Sequence, residues 1–413
     1  MLRPKKDAYN PSQPLSEGGY HGHTSDSGTE PLPLSPMQLC VMHVLYSLGV
    51  GGAEKLAYDM VASLPAHRYR PIMVCVGQSG PLAERVRARG ITLYLRPDSI
   101  KDRWGTVSWL KAIIEKERVA VVHAHQYNPL HYSVLATLGR PEVNLVYTEH
   151  GRMYPERLNW KRYLTNRLFA TRVNHLVSIS SSTRLAMVRY DNLPGPRISV
   201  IHNGVEIDEV GPQFDLKEKR RALGIGEGAR VIGTASRLEE IKNIPTMLRA
   251  FRRVLQAFPD CVLLVAGHGT QLERLTALAT ELGISERVHF LGLRSDLREI
   301  FKVIEVFLLV SFTEGISITL LEAMGSGVPT VVSRAGGNPE VVLDGVTGYL
   351  VEVEDDEALA RRVVELLNDR EKAARLGARG RERVIADFSF STMMEAYLKL
   401  YQHRIEGSHE IRG

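Results

Sequence analysis

From Met37 onward, short runs of β-branched and other apolar residues alternate with longer stretches whose apolar positions recur every three or four residues. Short continuous apolar runs suit strands buried on both faces, and the longer periodic stretches suit amphipathic helices, so the alternation predicts βα units on a parallel sheet. Expected strands in the first half are Leu39–Tyr46, Pro71–Val76, Ile91–Leu95, Val119–His123, Leu145–Thr148, Leu176–Ile179 and Ile198–Ile201. The rhythm breaks over residues 204–229, where Pro212 and several glycines surround a charged stretch, as in a linker. It resumes with Val231–Ala235, Val262–Ala266, Val288–Phe290, Val306–Val310, Thr330–Ser333 and Tyr349–Val351. The pattern predicts an α/β chain of two doubly wound domains, with a cleft where the C-terminal ends of the strands face each other. Asp355 to about His403 reads as helical, with Leu359, Val363, Leu366 and Leu367 at helical spacing. Residues 1–36 are rich in Pro, Gly, Ser and His and lack periodicity, so a disordered tail is expected there. Its His21 and His23 are too isolated to predict a metal site.

Composition narrows the class without naming it. A chain of 413 residues, 44% hydrophobic and 24% charged, fits a soluble protein of two or three domains. The net charge of +5 is too small for this length to imply nucleic acid. Cys40, Cys75 and Cys261 lie far apart beside apolar runs, which predicts buried thiols in a reducing compartment and no disulfide framework. No apolar run reaches the ~18–20 residues that span a bilayer, and no signal-peptide core is seen, so the expected location is the cytoplasm.

The chemistry-bearing residues follow predicted strands, where open α/β sheets bind ligands. Gly49-Val50-Gly51-Gly52-Ala53-Glu54 comes directly after the first strand. It is either an ordinary strand-to-helix turn or one that offers backbone amides to an anion. It matches neither G-x-G-x-x-G nor a Walker A motif, which lowers the case for a nicotinamide cofactor or a P-loop nucleotidase. In EGISITLLEAMGSGVP, Glu314 is expected on the cleft loop, with Ser317 or Thr319 capping a helix that carries Glu322 in its first turns. Carboxylates suit sugar or ribose hydroxyls, and amides at a helix start suit phosphate, so the segment describes a sugar-nucleotide site. Arg237 and Lys242, after the first strand of the second half, are two cations able to neutralise a diphosphate leaving group, although Glu239 and Glu240 between them leave open a solvated charge cluster.

Together with Glu149-His150-Gly151, Asn203-Gly204-Val205 and Gly336-Gly337-Asn338-Pro339-Glu340, these pieces in this order resemble the retaining glycosyltransferases of family four, which have the GT-B fold; the likeness covers residues 39–403 or so. The resemblance implies transfer of a sugar from a nucleotide diphosphate sugar, UDP before GDP, to a glycan, lipid-linked or small-molecule acceptor, with no metal and no cofactor. It implies an acceptor domain over 37–208, a nucleotide-sugar domain over 209–388 and a C-terminal segment, 389–413, whose helix crosses back. By the same resemblance Arg237 and Lys242 hold the diphosphate, Glu314 faces hydroxyls of the transferred sugar, Glu322 the ribose, and His150 the sugar near the reacting carbon. Gly51, Gly52, Asn203, Gly267, Leu291, Gly292, Ser317, Ile318 and Thr319 are implied donor contacts, with Phe290 to Leu293 lining the base. Two positions depart from the family pattern: Ile316-Ser317 stands where many relatives have Phe-Gly, and Asn243 where they have Gly, either of which bears on donor choice.

His150 reads as a positioning hydrogen-bond group rather than a proton-abstracting base. His123 and His125 end a strand with no third ligand in view, so structural or acceptor-facing roles are expected. Arg152, Arg157, Lys161, Arg162, Arg167 and Arg172, interleaved with Tyr154, Trp160, Tyr163 and Phe169, form a basic aromatic stretch that suits either an anionic lipid surface or a solvated helix face. The rival readings are a sugar-nucleotide 2-epimerase, a glycosidase, which would need a carboxyl pair flanking one bond, and a non-catalytic sugar-nucleotide-binding scaffold.

Overall fold

The computed structural model describes residues 38–49, 51–151, 159–207, 211 and 213–402. The tail expected over residues 1–36, with His21 and His23, lies outside the described residues, as do Arg152, Tyr154 and Arg157 of the basic stretch and the C-terminal residues from 403.

The first sheet holds β1 (Leu39–Ser47), β2 (Tyr69–Gln78), β3 (Thr92–Leu95), β4 (Val121–His125), β5 (Asn144–Glu149), β6 (His175–Ser178) and β7 (Ile198–Val200), in the order β3-β2-β1-β4-β5-β6-β7. The second holds β8 (Val231–Ala235), β9 (Val262–Ala266), β10 (Val288–Gly292), β11 (Val306–Leu309), β12 (Thr330–Ser333) and β13 (Tyr349–Val351), in the order β10-β9-β8-β11-β12-β13. Neighbouring strands are parallel throughout. The strand order reverses beside β1 in one sheet and beside β8 in the other, and a doubly wound sheet opens its ligand crevice at such a point.

Expected and observed strands agree to within two residues at every end. β4 starts later than expected because Val119 N–H closes the preceding helix on Ile114 O, with Arg118 in the left-handed region at φ +49°. The linker is partly helical: Asp215 accepts from the amides of Lys217 and Glu218 and so caps the helix Leu216–Ala222.

In the second half the helix Ile244–Ala257 buries Ile244, Met247, Leu248, Phe251 and Val254 against the sheet, each contributing ~1.5–3 kcal/mol by leaving water. The helix Phe390–Gln402 packs onto the first sheet, where Met393, Met394, Tyr397 and Tyr401 join Val41, Val121, Val146 and Val177 in one apolar cluster. Just before it, Val205 and Ser389 form a parallel bridge, held by Val205 N–H to Phe388 O and Phe390 N–H to Val205 O, both 3.0 Å.

Candidate functional site

The loops that leave β1, β5 and β11 meet at the seam between the two sheets, and the loop after β8 lies between those after β9 and β11. Gly51 caps the helix Gly52–Ala62, and a Cβ on Gly52 would sit 3.5 Å from Ile318 Cγ1 of the opposite domain. Ser317 caps the helix Ile318–Gly325 by accepting from Leu320 N, and Leu321 N–H returns to Ser317 O. The amides of Ile318 and Thr319 stand outside both bonds, as the first turn of a helix requires, and with the helix dipole they suit an anion.

Glu314 lies at the mouth of β11. Its Oε1 accepts from Lys242 Nζ at 2.5 Å and from Ser311 Oγ at 2.6 Å, with both charged side chains largely buried. The backbone around it is held from two directions. Gly337 N–H donates to Glu314 O at 2.9 Å, and a Cβ on Gly336 would fall 2.0 Å from that same oxygen, so only glycine permits this approach. Asn203 Nδ2 donates to Ile316 O at 2.9 Å across the seam, which makes Asn203 a brace for the loop. Arg237 is exposed on the loop after β8. Gly267, at φ +142°, lets the loop after β9 lie on Ser236 O, and Gly292 O accepts from Gly267 N–H at 2.8 Å. Leu291 is partly buried, while Leu293 is 61% exposed.

The two family departures acquire local reasons. Asn243 adopts φ +49°, a left-handed conformation that asparagine tolerates better than other side chains, and it ties the loop to β11 through Val310 O at 3.3 Å. Ile316 is buried in the core of the second domain, and Ser317 supplies the helix cap.

Glu322 lies apart from the Glu314–Lys242 pair. It borders a cavity of ≈ 240 Å³ lined also by Gly52, Lys55, Asp59 and Arg298, with Lys55 Nζ 3.9 Å away. Burial pushes its carboxyl above the ordinary range; Lys55 and Arg298 pull it back in part, and Asp59 opposes them. Across the seam Glu340 accepts from the amides of Ser181 and Ser182 at 2.8 and 3.0 Å and pairs with His202 at 3.2 Å. Burial acts to raise its pKa, but the His202 ring and the two amides outweigh burial and hold it at about 2.

His150 directly follows β5 beside the Glu314 loop: a Cβ on Gly315 would come 3.0 Å from His150 O. Burial holds its imidazole down at about 4, so it is neutral near pH 7. Its Nε2 meets His125 Nδ1 at 2.8 Å, and its buried Nδ1 has no partner among the described residues. Glu149 turns the other way, accepting from Tyr147 OH at 2.6 Å.

The expectation that His123 and His125 lack a third neighbour is corrected. His43 on β1 pairs in register with His123 on β4, and ring nitrogens of His43, His123 and His125 lie within 4.8 Å of one another. Three imidazoles are a donor set of the kind transition metals use, yet all six of these nitrogens are already hydrogen-bonded. At 0% and 2% exposure His123 and His125 are buried, with no surface of their own open to the cleft. The signal available was two histidines at matching phase on strands that the topology makes neighbours.

The basic stretch also divides. Arg162 turns inward, 2.9 Å from Asp191 and over the Tyr127 ring at 3.5 Å, and Arg172 donates to the carbonyls of Thr137, Arg140 and Val143. The outward face of the helix Trp160–Arg172 carries Trp160, Leu164 and Leu168, 65%, 62% and 70% exposed, beside Lys161 and Arg167. No helix among the described residues is long and apolar enough to cross a membrane.

Comparison with known proteins gives a consistent assignment. Residues 50–209 match the family model described as Glycosyltransferase Family 4, and residues 215–383 match Glycosyl transferases group 1. The chain is 28% identical to the UDP-Gal:alpha-D-GlcNAc-diphosphoundecaprenol alpha-1,3-galactosyltransferase of Escherichia coli over 80% of this chain and 88% of that protein. It is 27% identical to the N-acetyl-alpha-D-glucosaminyl L-malate synthase of Bacillus anthracis, over 71% and 77%. Among solved structures, a glycosyltransferase from Rickettsia africae superimposes with a TM-score of 0.78 at 20% identity, covering 89% of this chain and 98% of that one. Anabaena HepE, solved in complex with UDP and glucose, gives 0.78 at 21% identity, over 88% and 99%.

Proposed function

Since the chain belongs to glycosyltransferase family 4 and has the GT-B fold, we propose that it moves a sugar from a nucleotide diphosphate sugar, UDP-linked before GDP-linked, to a glycan, lipid-linked or small-molecule acceptor, with retention at the anomeric carbon. The observation that carries this reading is the cleft edge where the Lys242–Glu314 pair and the Ser317-capped helix start meet the Gly51–Gly52 turn.

On this reading the transfer runs as follows. The diphosphate rests against the amides of Ile318 and Thr319, with Arg237 and Lys242 neutralising the charge that grows as the sugar–phosphate bond breaks. Lys242 gives up part of its pairing with Glu314, which frees that carboxylate for sugar hydroxyls. Glu322, in its own cavity, takes the ribose, and His150, neutral, places a hydrogen bond on the sugar. With two cations and a helix start supplied by the chain, the proposed reaction has no metal step. The UDP and glucose held by HepE, and the UDP-galactose in the name of the Escherichia coli relative, support a UDP-sugar donor. The outward Trp160, Leu164 and Leu168 beside Lys161 and Arg167 support peripheral attachment to an anionic membrane.

A thermal-shift panel of UDP-, GDP- and ADP-sugars tests the donor, because a ligand bound only by the folded state raises Tm in step with its affinity. UDP-sugars are expected to give the largest shift, and transfer measured in excess chelator is expected to persist. No shift from any nucleotide sugar would overturn the reading, and release of free sugar independent of acceptor would favour a hydrolase.

A further inference from the structure

The histidines behind His150 form a single file of hydrogen bonds that ends on the crossing helix. His150 Nε2 meets His125 Nδ1 at 2.8 Å, and His125 Nε2 meets His43 Nδ1 at 2.9 Å. His43 Nε2 lies 3.2 Å from Tyr401 OH, which is 2.7 Å from His123 Nδ1. His123 Nε2 meets Thr148 Oγ1 at 2.8 Å, and Thr148 Oγ1 meets Tyr397 OH at 3.1 Å. Burial lowers the pKa of His43 to about 3 and of His150 to about 4, and with the neighbouring imidazoles it holds His123 and His125 well below the ordinary range. Each ring is therefore neutral and carries one N–H, so a file in which every hydroxyl also donates onward has only two polarities.

The buried terminus selects between them. Thr148 is the sole partner of Tyr397 OH among the described residues, and burial keeps that phenol protonated. A buried hydroxyl proton left unpaired is costly, so Tyr397 donates to Thr148. Thr148 then donates to His123 Nε2, His123 Nδ1–H to Tyr401, Tyr401 to His43 Nε2, His43 Nδ1–H to His125, and His125 Nδ1–H to His150 Nε2. Every proton along the file is used once except the last, on His150 Nδ1, which has no partner among the described residues, whereas the reverse polarity leaves two groups unpaired, the Tyr397 proton and the His150 Nδ1 lone pair.

We propose that this relay fixes His150 as its Nδ1–H tautomer, a one-way hydrogen-bond donor to a hydroxyl of the donor sugar, with Tyr401 and Tyr397 as positioning residues acting through the histidines. The ligand half of this assignment rests on the glycosyl-transfer reading above; the tautomer half does not. Nothing is transferred along the file in the resting protein: the crossing helix sets which His150 nitrogen carries the proton.

The test is nitrogen-15 NMR of ring-labelled histidine in the full chain, with calorimetric titration by UDP-glucose and by UDP. His150 is expected to be the Nδ1–H tautomer in the unsubstituted chain and a mixture in Tyr401→Phe. UDP-glucose affinity is then expected to fall about fivefold to tenfold, the scale of one lost hydrogen bond, with UDP affinity unmoved. Should Tyr401→Phe fail to fold, Tyr397→Phe, at the far end of the file, carries the same expectation. An Nε2–H tautomer in the unsubstituted chain overturns the proposal with no variant needed, as does a variant that loses stability while its His150 tautomer stays put. Failure of UDP-glucose to bind the unsubstituted chain would count against the donor reading alone, because the tautomer measurement still decides the relay.

Discussion

The two halves of the cleft solve the problem of buried polar groups in opposite ways. Under the first sheet, His43, His123, His125, Thr148, Tyr397 and Tyr401 are buried, uncharged and satisfied by one another and by His150. At the edge of the second, Lys242 and Glu314 are charged and largely buried, each the other's ion-pair partner. A neutral network costs little to bury once every proton has an acceptor, and it fixes direction. A charged pair costs desolvation, and it stores field strength that an incoming anion can use. One half is therefore uncharged and directional, and the other is charged.

Acid should separate them most sharply. The four neutral imidazoles have folded-state pKa values below the ordinary 6.5, so each gains a proton on unfolding once the pH is under 6.5. Stability is then expected to fall as pH drops below 6.5, by up to ~1.4 kcal/mol per pH unit for each such histidine. Urea titrations at pH 7, 6 and 5 measure this, and a midpoint unchanged down to pH 5 would mean the network is charged or open to water. The charged half is expected to answer to substitution. Lys242→Ala should lower kcat/KM by ~10²-fold or more with the fold intact, the scale of one preorganised charge contact. Near-normal steady-state kinetics with a verified donor would move Lys242 out of the site.

The glutamates refine the charged side. Glu314→Gln is expected to weaken transfer while leaving nucleoside diphosphate affinity nearly intact, and Glu322→Gln to weaken both, each by ~1.5–3 kcal/mol for the lost charge-assisted bond. Calorimetry beside steady-state transfer separates the two, and equal losses of diphosphate affinity would contradict the division. A smaller effect is expected at the seam, where Glu340→Gln should cost ~1–2 kcal/mol at pH 7 in urea unfolding. Because the Glu340 pKa is depressed from 4.5 to about 2, its contribution is complete above pH 4.5 and lost as pH falls toward 2. The smallest expected effect is at the outer face of the first domain. Lys161 and Arg167 contribute ~1 kcal/mol each near an anionic surface, so co-sedimentation with anionic vesicles should fade at high salt. Equal absence of binding to anionic and neutral vesicles removes the membrane from the picture.

The periodic signal made the strands legible because buried parallel strands and amphipathic helices obey short-range patterns. The Glu314 loop, the Ser317 cap and the Arg237–Lys242 turn were legible for a related reason, since each is a local segment at a strand end. What escaped the sequence is long-range. His43 precedes His123 by eighty residues in the chain and faces it only because β1 and β4 pair. Tyr397 and Tyr401 reach the same file only because the last described helix returns to the first sheet. The inward turn of Arg162 and Arg172 likewise depends on Asp191 and on three carbonyls that no local pattern connects to them.

The parallel bridge between Val205 and Ser389 marks where the chain passes from one domain to the other and where it returns. Gly204 sits so tightly there that a Cβ would fall 2.4 Å from Ser389 O. Two passages side by side and mutually hydrogen-bonded lock the chain's exit from the first sheet to its return onto it, so a Cβ at Gly204 would press on both passages at once.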